Sequence, residues 1–222
     1  MLTTTGELAK TEKVKCIIYG EPGCGKTPLL LTAPNPIYIA VERGQVSLKG
    51  TNAPAIQAYT LPEFYAALKW LETPEAAPFE TIYIDSISAF AKLVLNDELS
   101  RKSKSGEKVN GQAAYGEMAT RVLKLMHLLY ALPGRNVVLL AQQDAGKERA
   151  WPYFPGNATN TELPHLFDAV LHLGWHEIPE HGKHYTLQCR ATDAIFARCR
   201  FNNCADYESP NLTQLFNKLT GE

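Results

Sequence analysis

A chain of 222 residues is long enough for one large α/β domain with a sizeable core. With 45% hydrophobic and 20% charged residues it is not a disordered chain, and a formal net charge of −1 leaves any nucleic-acid binding to local patches. No apolar run reaches the ~18 residues that cross a bilayer, the opening MLTTTGELAKTEK has no signal-peptide stretch, and five cysteines without a CxxC pair fit free thiols in a reducing cytoplasm.

The first twelve or so residues are polar and read as a flexible arm. Val14–Tyr19 (VKCIIY) is a short apolar strand, and it runs straight into GEPGCGKTP, that is Gly20, Glu21, Pro22, Gly23, Cys24, Gly25, Lys26, Thr27 and Pro28. The first eight of these match the phosphate-loop pattern G-x-x-x-x-G-K-[ST], in the strand-before, apolar-run-after context that gives the pattern meaning. Pro28 is tolerated in a first helical turn, whose N–H groups have no intrahelical partner, so a helix is expected to follow. Pro36–Val41 is a second strand, closed by Glu42, and Leu61–Leu71 has helical spacing. Thr81–Ile84 is a third strand, closed by Asp85. Ser100–Asn110 reads as a basic loop, Gln112–Leu132 as a helix, and Asn136–Ala141 as a fourth strand, closed by Gln142. No element is readable in Gln143–Asn160. Asp168–Trp175, Tyr185–Arg190 and Ala197–Phe201 read as strands, the first two joined by the hairpin turn Pro179–Gly182, and Asn211–Leu219 as a closing helix with Asn211 or Thr213 as N-cap. The alternation predicts one α/β domain over residues 1–222, a mostly parallel sheet flanked by helices, with antiparallel C-terminal strands.

The glycines of the loop let the backbone N–H groups curl towards phosphate oxygens, with Lys26 reaching the β- and γ-phosphates of ATP and Thr27 holding Mg²⁺. Pro28 removes one donor near the α-phosphate, roughly 1.5–3 kcal/mol if nothing replaces it. Asp85 is placed to hold Mg²⁺, or else caps the next helix. Glu42 is placed to activate water as a general base, or else is a solvated surface carboxylate. Gln142 can contact the γ-phosphate and report its loss to the following loop, or is a plain polar strand end. Two segments could carry DNA. One holds Arg101, Lys102, Lys104 and Lys108; the other interleaves Lys147 and Arg149 with Trp151, Tyr153 and Phe154, a mixture suited to phosphates and unpaired bases. The competing expectations are a solvated charged loop and aromatics tucked into the core. His172, His176, His181, His184, Cys189, Cys199 and Cys204 fit no zinc spacing; a strand would put His172 and His176 on one face but far apart, at a polar sheet edge.

In order, IYIAVERG with Glu42, TIYIDSISAF with Asp85 and VVLLAQQD with Gln142 (favoured over Gln143) resemble the RecA-like recombinase ATPases, and more closely the small phage-encoded, single-core ATPases of the single-strand-annealing class. The resemblance covers roughly residues 13–219, and Pro28 departs from its usual pattern. It implies a P-loop NTPase with a RecA-like core, a catalytic glutamate at Glu42, a glutamine switch at Gln142, and a mobile DNA-binding loop followed by a helix and a strand. The tail ARCRFNN…SPNLTQLFNKL resembles the arginine-containing strand and closing helix of the phage group, so Arg190, Arg198 or Arg200 would reach a neighbour's γ-phosphate. The implied function is ATP hydrolysis dependent on single-stranded DNA, in phage-type recombination or annealing. The implied partners are single-stranded DNA, further copies of the chain and a single-strand-binding protein, with no membrane, in the bacterial host cytoplasm. A non-hydrolysing, nucleotide-ordered annealing scaffold, a small-molecule kinase and a helicase-loader or packaging ATPase remain open alternatives.

Overall fold

Strand β1 (Lys15–Gly20) is buried from end to end, because both of its edges and both of its faces are covered. The computed structural model describes residues 13–104, 111–146 and 148–221, together with Leu2, Thr4 and Gly6. Among these, β1 lies between two parallel neighbours, β5 (Asn136–Gln143) and β7 (Ala169–Ile178). The sheet continues on one side through β4 (Thr81–Asp85), β2 (Pro36–Ala40) and β3 (Ala55–Gln57), all parallel. On the other side β8 (Gly182–Gln188) and β10 (Tyr207–Glu208) add antiparallel, giving the order β10-β8-β7-β1-β5-β4-β2-β3. Two-residue strands β6 (Pro152–Tyr153) and β9 (Arg198–Cys199) pair antiparallel with β5 and β7. The sheet is therefore mostly parallel with antiparallel C-terminal strands, as the alternation predicts.

Side chains alternate between the faces of a strand, and each face has its own core. Ile17, Tyr19, Ile39, Ile84 and Leu139 meet α1 (Leu61–Trp70), α2 (Ile87–Lys104), α3 (Gly111–Tyr130) and α4 (Asn157–Leu166). Cys16, Ile18, Tyr38, Tyr83 and Leu140 meet Leu29, Leu30 and the closing helix α5 (Leu212–Thr220). Helix α1 starts on a capping box, Thr60 and Glu63 each bonding the other's backbone N–H, and α5 is capped by Asn211, whose side chain accepts from the Gln214 N–H.

Strands β3 and β10 are additions to the expected set, β9 is shorter than the expected Ala197–Phe201, and four further elements differ. The phosphate loop is followed by a five-residue 3-10 helix, Pro28–Thr32, in place of a full helix. Its first N–H, that of Leu29, is shared between the Gly25 and Lys26 carbonyls at 3.2 Å each, and Leu30 N–H takes the Thr27 carbonyl. Pro34 then forces Ala33 into extended backbone at φ −80°, ψ 149°, which stops the turn. Helix α2, unread in the sequence, buries Ile87, Phe90, Ala91 and Val94, and takes in Ser100–Lys104, the first half of the expected basic loop; residues 105–110 lie outside the described residues. Gln143–Asn160 is not structureless: it holds the end of β5, β6 and the start of α4. Finally, β7 runs on to Ile178, so the hairpin is longer than read.

Candidate nucleotide site

The parallel strands present their C-terminal ends along one edge, where crevices in open α/β sheets form. Gly20 leaves β1 there with no room for a side chain: a Cβ would collide with the Leu173 carbonyl, and one on Gly25 with the Tyr185 hydroxyl. Gly23 and Gly25 have φ of 78° and 93°, the left-handed region open to glycine. Three tyrosines that the motif does not include buttress the turn: Tyr185 donates to the Cys24 carbonyl, Tyr83 to that of Lys26 at 2.6 Å, and Tyr38 to the Asp85 carboxylate at 2.9 Å. Burial pushes all three phenols' pKa values up, so they remain donors. Glu21, Pro22 and Gly23 are exposed at the tip, and among the described residues no acceptor takes the N–H groups of Gly23, Gly25, Lys26 or Thr27. Lys26 folds its ammonium over the loop, donating to the Gly20 and Glu21 carbonyls at 2.8 Å each. A curl of free donors closed by an ammonium fits a chain of phosphates.

The carboxylate of Asp85, buried at the end of β4, accepts from the Thr27 hydroxyl at 2.7 Å. Two hard oxygen donors side by side beside a phosphate cradle fit Mg²⁺, and these two residues would hold it. Strand alternation brings Glu42 and Gln142 to the same face as Thr27. Gln142 Nε2 donates to Glu42 Oε2 at 3.4 Å, while its Oε1 accepts from the ammonium of Lys92 on α2 at 3.2 Å. Lys92 also lies 5.5 Å from the centre of the Tyr153 ring. The Gln142 N–H is held by Ser88 Oγ at 3.0 Å, and that hydroxyl donates to the Tyr153 carbonyl. Ser88 and Lys92 lie four apart on one face of α2, and only the fold, by setting that face against Gln142, gives them a role.

The aromatic candidates for base stacking are turned inwards. Phe154 is 2% exposed in the core. Trp151 stacks on Phe196 at 3.9 Å and donates to the Asn160 carbonyl, and Tyr153 pairs with Gln142 across β5–β6. Arg149 lies over the same Phe196 ring and donates to the Ile195 carbonyl. The ribbon buries Phe154 in the core and stacks Trp151 on Phe196, while Tyr153 stays half-buried beside Lys92, so of the three aromatics Phe154 is the one the structure removes as a stacking surface. Arg101 is exposed and pairs with Glu98 at 3.4 Å. Lys108, Lys147 and the side chains of Lys102 and Lys104 lie outside the described residues.

The late arginines are also engaged. Arg198 and Arg200 share a face, as alternation predicts, and donate to the Pro164 and His165 carbonyls at the end of α4. They sit beside the start of β7, at the opposite end of the sheet from the phosphate loop. Arg190 donates to the Cys199 carbonyl and faces Asp206 at 3.9 Å. Each is thus tied within the chain, with the Arg190 and Arg200 side chains still half exposed.

His172 and His176 do share one face of β7, but they are neither far apart nor at a polar edge. His172 Nδ1 and His176 Nε2 are 2.7 Å apart and both rings are buried. Gly174 between them carries no side chain, so the rings lean together above it. Among the described residues no group of three or more His, Cys, Asp or Glu could hold a metal ion. The five cysteines are free, four of them buried. No described helix is long and apolar enough to cross a membrane.

A glycine-rich loop after the central strand, a threonine–aspartate oxygen pair and a glutamate at the next strand end define a phosphate-loop nucleotide-binding domain. The chain belongs to a family described as an AAA domain, whose model matches residues 12–201, and is thus an ATP-binding domain of the ATPase class. No curated protein gives a match. Among solved structures it is similar to the KaiC-like protein PH0186 of the hyperthermophilic archaeon Pyrococcus horikoshii OT3, at 14% identity and a TM-score of 0.42, over 81% of this chain and 79% of that one.

Proposed function

We propose that the chain hydrolyses ATP in response to single-stranded DNA and acts in phage-type recombination or annealing. The observation that carries this reading is the hydrogen-bonded row Glu42–Gln142–Lys92 beside Thr27 and Asp85. Lys26 and the loop N–H groups bind the phosphates, and Thr27 and Asp85 would hold Mg²⁺, whose charge would offset that of the phosphoryl oxygens. Glu42 takes a proton from water, and Gln142 holds the Glu42 carboxylate in place until catalysis. Because Gln142 pairs directly with Tyr153, a change at its amide is felt in the segment 144–151, where Arg149 lies and where DNA phosphates would be met.

Single-stranded DNA and further copies of the chain are the proposed partners, in the cytoplasm. ATP hydrolysis measured with and without a single-stranded oligonucleotide tests the reading: stimulation that weakens with salt supports it. Equal turnover in both arms removes the DNA, and phosphate appearing on a small-molecule acceptor would move the chain to the kinases.

A further inference from the structure

Gln143, next to Gln142, points to the other face of the sheet, and there its Oε1 lies 3.0 Å from His172 Nε2. His172 Nδ1 lies 2.7 Å from His176 Nε2, and His176 Nδ1 lies 2.7 Å from the Thr186 hydroxyl. Four side chains thus form one buried file from the end of β5 to the middle of β8. The nucleotide chemistry described above uses none of them.

The file has a polarity. With the Gln143 oxygen facing the ring, as it does here, His172 Nε2 carries the proton, because a carbonyl oxygen only accepts; with the amide turned over, every donor in the file would reverse. In a neutral ring Nδ1 then accepts, so His176 Nε2 donates to it. His176 Nδ1 accepts in turn, and the Thr186 hydroxyl donates. Both rings are neutral: burial lowers the pKa of each, and for His172 the repulsion of His176 and Lys26 adds to that. In this arrangement the Gln143 oxygen faces inwards and its NH₂ outwards. Outwards is a cavity of about 430 Å³ that Gln143 and His172 line together with Glu21 and Cys24 of the phosphate loop. A second cavity, of about 520 Å³, continues along Gln143, Glu21, Asp144 and Glu148. The carboxylates of Glu21, Asp144 and Glu148 line these openings, and Lys183 lines the first together with Cys24 of the phosphate loop.

We propose that Thr186, His176 and His172 are a positioning relay that fixes the Gln143 amide with its NH₂ facing the phosphate loop, where it contacts the phosphate chain of bound nucleotide. The inference rests on the ATPase reading for its ligand, but not for its geometry. Through the relay, the β7–β8 hairpin and the nucleotide set each other's order.

Two measurements test it. Histidine ¹⁵N spectra of the full chain without nucleotide should show both rings as the Nε2–H tautomer. Finding both as Nδ1–H would turn the amide over and overturn the relay, whatever the protein does with ATP. In the second, steady-state hydrolysis and binding of a non-hydrolysable ATP analogue are compared in wild type, Gln143→Ala, His172→Phe and His172→Gln. Gln143→Ala and His172→Phe should each weaken analogue binding by about tenfold, as for one lost hydrogen bond to a charged group. The double variant should be no worse than either single one. His172→Gln, which restores an N–H at the position of Nε2, should recover most of the loss. Multiplicative losses, or His172→Phe with wild-type affinity and only a lower melting temperature, would reduce His172 to packing. If wild type shows the expected tautomers but neither binds nor hydrolyses ATP, the ATPase reading fails and with it the Gln143–phosphate contact, while the polarity of the file stands.

Discussion

Lys26 already lies over the loop, held by two carbonyls that phosphates would replace. Lys26→Ala should abolish hydrolysis and weaken nucleotide binding, because the ammonium offsets phosphate charge both before and during cleavage; unchanged turnover in the purified variant contradicts the site. Glu42→Gln keeps shape and loses the base, so nucleotide should bind normally while turnover falls by about 10²–10⁴-fold. A wild-type rate would make Glu42 a surface residue. Lys92→Met keeps the stem of the side chain but frees the Gln142 oxygen. Gln142 then holds Glu42 less firmly, and kcat should drop by about tenfold, as for one lost charge-assisted hydrogen bond, with KM little changed. A rise in KM at constant kcat would mean that Lys92 binds nucleotide directly.

At the scale of elements, the short 3-10 helix is the chain's most consequential departure. Pro28 opens it without an N–H and Pro34 closes it, so the loop has fewer donors behind it than a full helix would give. Pro28→Thr should tighten nucleotide binding by about ten- to a hundredfold, with the chemical step little changed. Titration showing equal affinity would mean that the N–H groups of Gly23 to Thr27 suffice. The parallel strands and the loop were legible because apolar runs of β-branched residues end in single polar ones: Glu42, Asp85 and Gln142 each mark a strand end. Helix α2 has the same kind of signal in Ile87, Phe90, Ala91 and Val94, but Glu98, 5% exposed and tied to Arg121 at 2.5 Å, breaks the pattern where a buried apolar residue is expected. The ribbon at 150–154 was not legible at all. Its strand is two residues long, and only the distant Phe196 and Tyr19, whose hydroxyl reaches the Ala150 carbonyl, make it one. Contacts between residues 40 or more apart leave no local pattern, whereas His172 and His176 are four apart and their meeting depends on Gly174 between them carrying no side chain.

Across the molecule as a whole, two apolar cores enclose a few buried ionisable groups, and these set the response to acid. His172 titrates at about 4 in the folded chain, because burial disfavours the imidazolium and His176 and Lys26 repel it. Unfolded, the ring takes its proton near pH 6.5, so the unfolded chain binds the extra proton between those values. Stability should therefore be full above about pH 6.5 and drain away as pH falls towards 4, by about 3 kcal/mol from this ring alone, with His176 adding in the same direction. Melting temperatures taken between pH 7.5 and 5 should fall in wild type and fall less in His172→Phe. Parallel curves would show that other groups dominate.

The clasp between the 3-10 helix and α5 also bears on when the protein becomes competent. Thr32, which ends the 3-10 helix, accepts from the Leu212 N–H and gives its carbonyl to the Thr213 hydroxyl, across 180 and 181 residues of sequence. Strand β1 likewise waits for β7, its neighbour from residue 169 onwards. On a ribosome adding about 5–20 residues per second, the phosphate loop emerges roughly 10–40 s before its last supports are made. For that interval the nascent chain has the loop's sequence without its frame, and ATP reaches a finished cradle only once residues 169–213 have been made.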